Sequence, residues 1–137
     1  MSVIFVPQDE NTVVDCDPDA IADWVRAAER RGRTAWGEVY YGPESTASPQ
    51  LCFMVIPGAG VCGAVRTGDR TDIHVDSGNT DVVYPVDYGQ DHVRIPRAFV
   101  TPTGAAIDLI RHFCATGRPA DDGKWVDYDR TGWDLYA

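Results

Sequence analysis

Thr101 to Gly117 carries its own start and stop, and no other stretch constrains the fold as tightly. Thr101 stands where a helix N-cap is expected, and Pro102 fits the first helical position, where a missing N–H costs nothing. Ala106, Leu109, Ile110 and Phe113 repeat at i, i+3, i+4 and i+7, which predicts an apolar stripe that must be buried. Gly117 supplies the left-handed residue after the last turn, and Pro119 keeps the helix from resuming. A short polar turn then leads to a strand centred on Trp125.

The upstream chain reads as a second helix and a run of strands. Ser2 to Val6 is a short apolar strand ended by Pro7. Asp17 is a candidate N-cap, Pro18 and Asp19 suit a first turn, and Ile21, Trp24, Val25 and Ala28 form the stripe of a helix running to Arg31 before Gly32. Strand candidates follow at Thr34–Tyr41, Leu51–Ile56, Val61–Arg66, Thr71–Asp76 and Asp81–Val86, with a brief extended piece at Val93–Ile95. Leu51 to Ile56 is apolar throughout, bounded by Pro49 and Pro57, and short enough to be a buried strand. The order predicts a single α+β domain over residues 1–137. Its antiparallel or mixed sheet has about five to six strands, with the two helices packed on one face.

The helix that closes in Ala115-Thr116-Gly117-Arg118-Pro119, followed by Lys124-Trp125-Val126, resembles the C-terminal signature of the first-numbered immunity-protein family of bacterial polymorphic toxin systems. The strand-rich middle, Gln50 to Pro96, has the same general look, so the resemblance covers roughly the last two thirds of the chain. The N-terminal third matches only as a strand and a helix. What the resemblance implies is protection of the producing cell by binding a cognate toxin, typically a nucleic-acid deaminase. It carries over no catalytic residue.

Charge narrows the partners independently. With 21 acidic and 12 basic residues the formal net charge is -9, so nucleic acid and anionic membranes are expected to repel the chain and a basic protein to attract it. Cys16, Cys52, Cys62 and Cys114 are scattered and form no zinc-type spacing, which makes them expected reduced, buried side chains. The N-terminus lacks the basic and apolar regions of a secretion signal, and no apolar run reaches the ~20 residues that span a bilayer, so a cytoplasmic protein is expected.

Two motifs suggest chemistry. Gly58-Ala59-Gly60-Val61-Cys62-Gly63 fits GxGxxG, but Ala64-Val65-Arg66-Thr67 is β-like where a pyrophosphate-binding helix should begin, so the glycines read as hairpin turn and strand packing. Asp72-Ile73-His74-Val75-Asp76 would place two carboxylates and an imidazole on one strand face. A small metal- or acid/base-dependent enzyme could use that row, while a solvated polar face is the plainer expectation. Neither GxSxG nor the H-x-E and P-C-x-x-C pattern of zinc deaminases occurs. No enzyme activity and no cofactor is therefore expected.

Acidic residues fall in two blocks. Asp9 to Asp23 holds six and no basic residue, and Asp69 to Asp91 holds six and one Arg, with Tyr84 and Tyr88 among them. If the second block converges, Asp72, Asp76, Asp81, Asp87, Tyr88 and Asp91 are the expected partner-binding residues, facing the positive groove of a nucleic-acid-acting toxin. An acidic regulatory or scaffold domain would share this composition. Trp24, Trp36 and Trp125 read as packing residues, and Trp133 and Tyr136 either dock on the domain or stay exposed.

Overall fold

Two of the longest apolar segments set the layers, one strand and one helix. In the computed structural model, which describes residues 2–88 and 90–136 with the Tyr88 side chain outside that set, Gln50–Ile56 forms strand β3 at the heart of a sheet. Its neighbours are β1 (Val3–Pro7), β2 (Ala35–Tyr41), β4 (Gly60–Thr67), β5 (Arg70–His74) and β8 (Trp125–Asp127). The sheet has six strands in the order β1-β2-β3-β4-β5-β8, every pair antiparallel. Alternation along β3 sends Leu51, Phe53 and Val55 into one core and Met54 and Ile56 into another.

The first core lies under both helices, α1 (Pro18–Arg31) and α2 (Thr103–Thr116). Ile21, Val25 and Ala28 of α1 meet Ile107, Ile110 and Phe113 of α2 over Val39, Phe53 and Val65 of the sheet. Each large aliphatic side chain buried there contributes about 1.5–3 kcal/mol. Asp17 caps α1 by accepting from the Asp19 N–H at 2.9 Å, and Gly32 ends it in the left-handed conformation. The α2 stripe is shifted from the expected one. Ile107 and Cys114 are buried with Ala106, Ile110 and Phe113, whereas Leu109 is half-buried.

The opposite sheet face is also covered, which the sequence reading did not anticipate. β6 (Val83–Tyr88) and β7 (Asp91–Pro96) leave the main sheet and pair only with each other, so they add a layer where two more strands of the same sheet were a candidate reading. Val86, Val93 and Ile95 pack onto Met54, Ile56, Cys62 and Ile73, and Ala98 to Val100, the 3₁₀ turn and its exit, close one end of this core. The C-terminal tail docks on it: the Trp133 indole donates to the Arg94 carbonyl at 2.8 Å, and the Arg94 N–H donates to the Leu135 carbonyl at 2.7 Å. Cys16, Cys62 and Cys114 are buried as expected, with burial pushing the Cys62 thiol up to about 12 and that of Cys114 to about 11, while Cys52 is half-buried.

The chain between Gly60 and Thr101 explains why the second helix starts late. Val61 and Thr101 exchange two backbone hydrogen bonds of 2.8 Å, so Thr101 extends the sheet and does not cap α2. Pro102 holds the cap position with no side-chain hydrogen bond, and the helix begins at Thr103. Gly60, at φ 140°, lets the two backbones meet, since a Cβ there would strike the Thr101 carbonyl. Gly60→Ala is therefore expected to cost about 2–3 kcal/mol, whereas Gly104→Ala in the exposed first turn of α2 is expected to gain about 0.5–1 kcal/mol. Denaturant midpoints of the two variants, moving in opposite directions, check this.

Candidate partner interface

The strand alternation of β5 does not end at solvent. Ile73 enters the second core, and His74, expected on a solvated polar face, is 2 % exposed. Its Nδ1 lies 2.8 Å from the Thr101 hydroxyl and its Nε2 2.8 Å from an Asp122 carboxylate oxygen. An ionised carboxylate only accepts, so Nε2 carries a proton and donates; a neutral ring then accepts the Thr101 hydroxyl proton at Nδ1. The Trp125 ring closes on the imidazole edge to face, with centroids 5.0 Å apart. Both ring nitrogens are thus engaged by residues outside the Asp72–His74–Asp76 row, and the row does not act together.

Its two carboxylates are engaged elsewhere. Asp72 accepts from Arg70 at 2.8 Å, and Asp76, beyond the end of β5, faces Lys124 at 3.5 Å. Among the described residues no three His, Cys, Asp or Glu side chains are grouped closely enough to hold a metal ion. Asp122, which links the 118–124 connection to the sheet through His74, had no signal in the sequence, because its partner lies 48 positions away.

The remaining expected contacts separate along the β6–β7 hairpin. Asp81 precedes β6, and Asp87 stands near its far end, which at ~3.3 Å per residue places them roughly 15 Å or more apart. Asp87 pairs across the hairpin with His92 at 2.6 Å, both exposed, and Asp91 is exposed in the next register position. Alternation points Asp87 and Asp91 to opposite faces of the hairpin. Asp91 stands close enough to Tyr136 that, after partial burial, its charge helps push the phenol pKa up. The side chain of Tyr88 lies outside the described residues. The five candidate acids thus come from different elements: Asp72 lies on β5 and Asp76 just beyond it, Asp81 lies before β6, and Asp87 and Asp91 lie near the turn of the hairpin.

The first acidic block has a different layout. The loop from Gln8 to Asp17 folds back along β1, where Phe5 and Val13 exchange backbone hydrogen bonds of 2.9 and 2.8 Å and so cover the free edge of the sheet. Among the described residues no helix is long and apolar enough to cross a membrane. No family model, curated protein or solved structure matches the chain.

The His74 cluster gives a pH test. Desolvation works to raise the Asp122 pKa, but the hydrogen bonds from His74 and the Lys124 N–H outweigh it and hold the carboxyl below its usual range. A depressed folded pKa stabilises fully above the unfolded value, and that contribution is lost as pH falls through the folded value. Asp122→Asn is therefore expected to lower stability near neutral pH and to flatten the wild-type decline below about pH 5, as read by urea midpoints between about pH 7 and 3.

Proposed function

We propose that the protein is an immunity protein that binds a cognate polymorphic toxin, a nucleic-acid-acting enzyme of the deaminase type, and occludes its active site. The observation that carries this reading is charge: a net -9 on a small α+β scaffold whose acids are largely exposed, among them Asp81, Asp87 and Asp91. An enzyme that acts on nucleic acid needs a positive groove, and an acidic surface of comparable reach competes for that groove. The resemblance of Ala115 to Pro119 and Lys124 to Val126 to the immunity-protein family points the same way. In this reading the protein works in the cytoplasm of the toxin producer and makes or breaks no bond.

Long-range attraction brings the partners together and short-range fit keeps them together. Exposed charge acts over a Debye length of roughly 8–10 Å at physiological ionic strength, so the acidic surface sets the association rate more than the dissociation rate. Scattered acids such as Asp81, Asp87 and Asp91 suit that role, because steering depends on the summed field and needs no single patch.

Co-expression with the toxin encoded beside its gene is the direct test. The protein is expected to restore growth and to form a stable complex whose association slows about tenfold or more from low to high salt. A neighbouring toxin whose lethality is unaffected, or a complex indifferent to salt, would overturn the reading.

A further inference from the structure

We infer that the groove along the outer edge of β1 is a docking site for a basic protein segment with an apolar anchor. This rests on the reading of the protein as a binder of a basic partner, and it names the face that such a partner grips.

The groove has a volume of about 530 Å³ and an apolar floor, made by Phe5, Val13, Cys16, Ala20 and Trp24. That size lies in the range of ligand-binding clefts. Trp24 is held in place from both sides: its ring packs edge to face on Phe5 and Phe53 at 5.5 and 5.9 Å, and its indole N–H donates to Glu10. A rigid aromatic floor of this kind loses little entropy when a partner side chain lands on it.

Two observations separate this place from the rest of the surface. The exposed large hydrophobic residues are Val13, Val14, Val82 and Tyr136 among the described residues, so the adjacent pair falls on the groove's own loop. Apolar side chains side by side in water are where a partner gains most from contact. The second observation is the state of the acids around it. Asp72, Asp76 and Asp87 of the other block each have a cationic or imidazole partner. No Lys or Arg among the described residues pairs with Asp9, Glu10, Asp15 or Asp23, and of the first block only Asp19 is bridged, to Arg111. Asp9 and Glu10 line the groove itself, and carboxylates without a cationic partner beside an apolar floor complement an aliphatic or aromatic side chain flanked by Lys or Arg. A neutral apolar peptide would leave these carboxylates unsatisfied, and a purely cationic one would leave the floor wet.

The test uses two probes. The first is a short synthetic peptide rich in lysine and arginine around a central leucine–tryptophan pair, with an equally charged peptide lacking that pair as control, each titrated into labelled protein and followed by NMR. Saturable shifts confined to the amides of residues 9–16 and the Trp24 indole, with the anchored peptide only, are expected. The double change Val13→Ser and Val14→Ser is expected to weaken that binding about tenfold. Shifts that map elsewhere, that fail to saturate, or that are indifferent to the double change overturn the inference.

The second probe is the toxin of the co-expression experiment. The serine pair is expected to speed dissociation about tenfold, and Asp9→Asn with Asp23→Lys to slow association. Asp108→Lys on the exposed side of α2 serves as a charge control and should leave dissociation unchanged. Thermal melts confirm that the variants fold. Full protection and unchanged dissociation by the serine pair would refute the groove while the immunity reading stands. Absence of any protection by the wild-type protein would refute the immunity reading, and the peptide titration would still decide the groove.

Discussion

A strand that is apolar on both faces has to be covered on both, and β3 imposes that demand on the rest of the molecule. Leu51, Phe53 and Val55 need one cover, Met54 and Ile56 another, and neither set tolerates water. Two amphipathic helices with one apolar stripe each can serve only one side. The other side is met by the β6–β7 hairpin, the 3₁₀ turn after it and the tail, each too small to be stable alone and each held by contact with the sheet. The C-terminal residues Trp133 and Leu135 therefore pack against the second core and bond to the Arg94 backbone.

How far the sequence reveals this depends on how far apart the interacting residues are. The caps of α1, the Gly117 end of α2, and the β3–β4 hairpin through Pro57–Gly60 are local, and their residues announce them. That β3 is a buried strand was legible because no polar residue interrupts Leu51 to Ile56, but what covers its second face was not. Long-range partners left no trace. Thr101 has every local mark of an N-cap, yet its backbone joins Val61 and its hydroxyl turns to His74, a tertiary demand that outweighs one helix-end hydrogen bond. His74 looked solvated because alternation tells which residues share a face and says nothing about what covers that face.

The same limit governs the acidic surface. Counting charges along the chain finds two blocks of equal size, and linear distance makes them look equivalent. Folding separates them. The second block is threaded through a strand, a connecting loop and a hairpin, and three of its acids meet Arg70, Lys124 or His92. The first block lies in one fold-back loop and the opening turns of α1, so it stays together, and little of it is neutralised. No count of sequence charge distinguishes these cases, because the difference lies in where the basic residues arrive.

That contrast bears on how a small acidic protein gains both speed and residence time. Dispersed acids without a cationic partner still contribute to the net field, so they attract a basic enzyme from a distance. Residence needs desolvated contact, which charge alone supplies poorly, since a buried ion pair must offset the loss of two hydration shells. An apolar floor provides contact without that cost, and carboxylates beside it that lack a cationic partner set which apolar partners are acceptable. On this division of labour the edge of β1 solves two problems with one loop: the Val13 fold-back closes the sheet edge against unwanted strand pairing, and the same fold-back leaves Val13 lining the groove with Trp24 and Val14 exposed next to it in the chain.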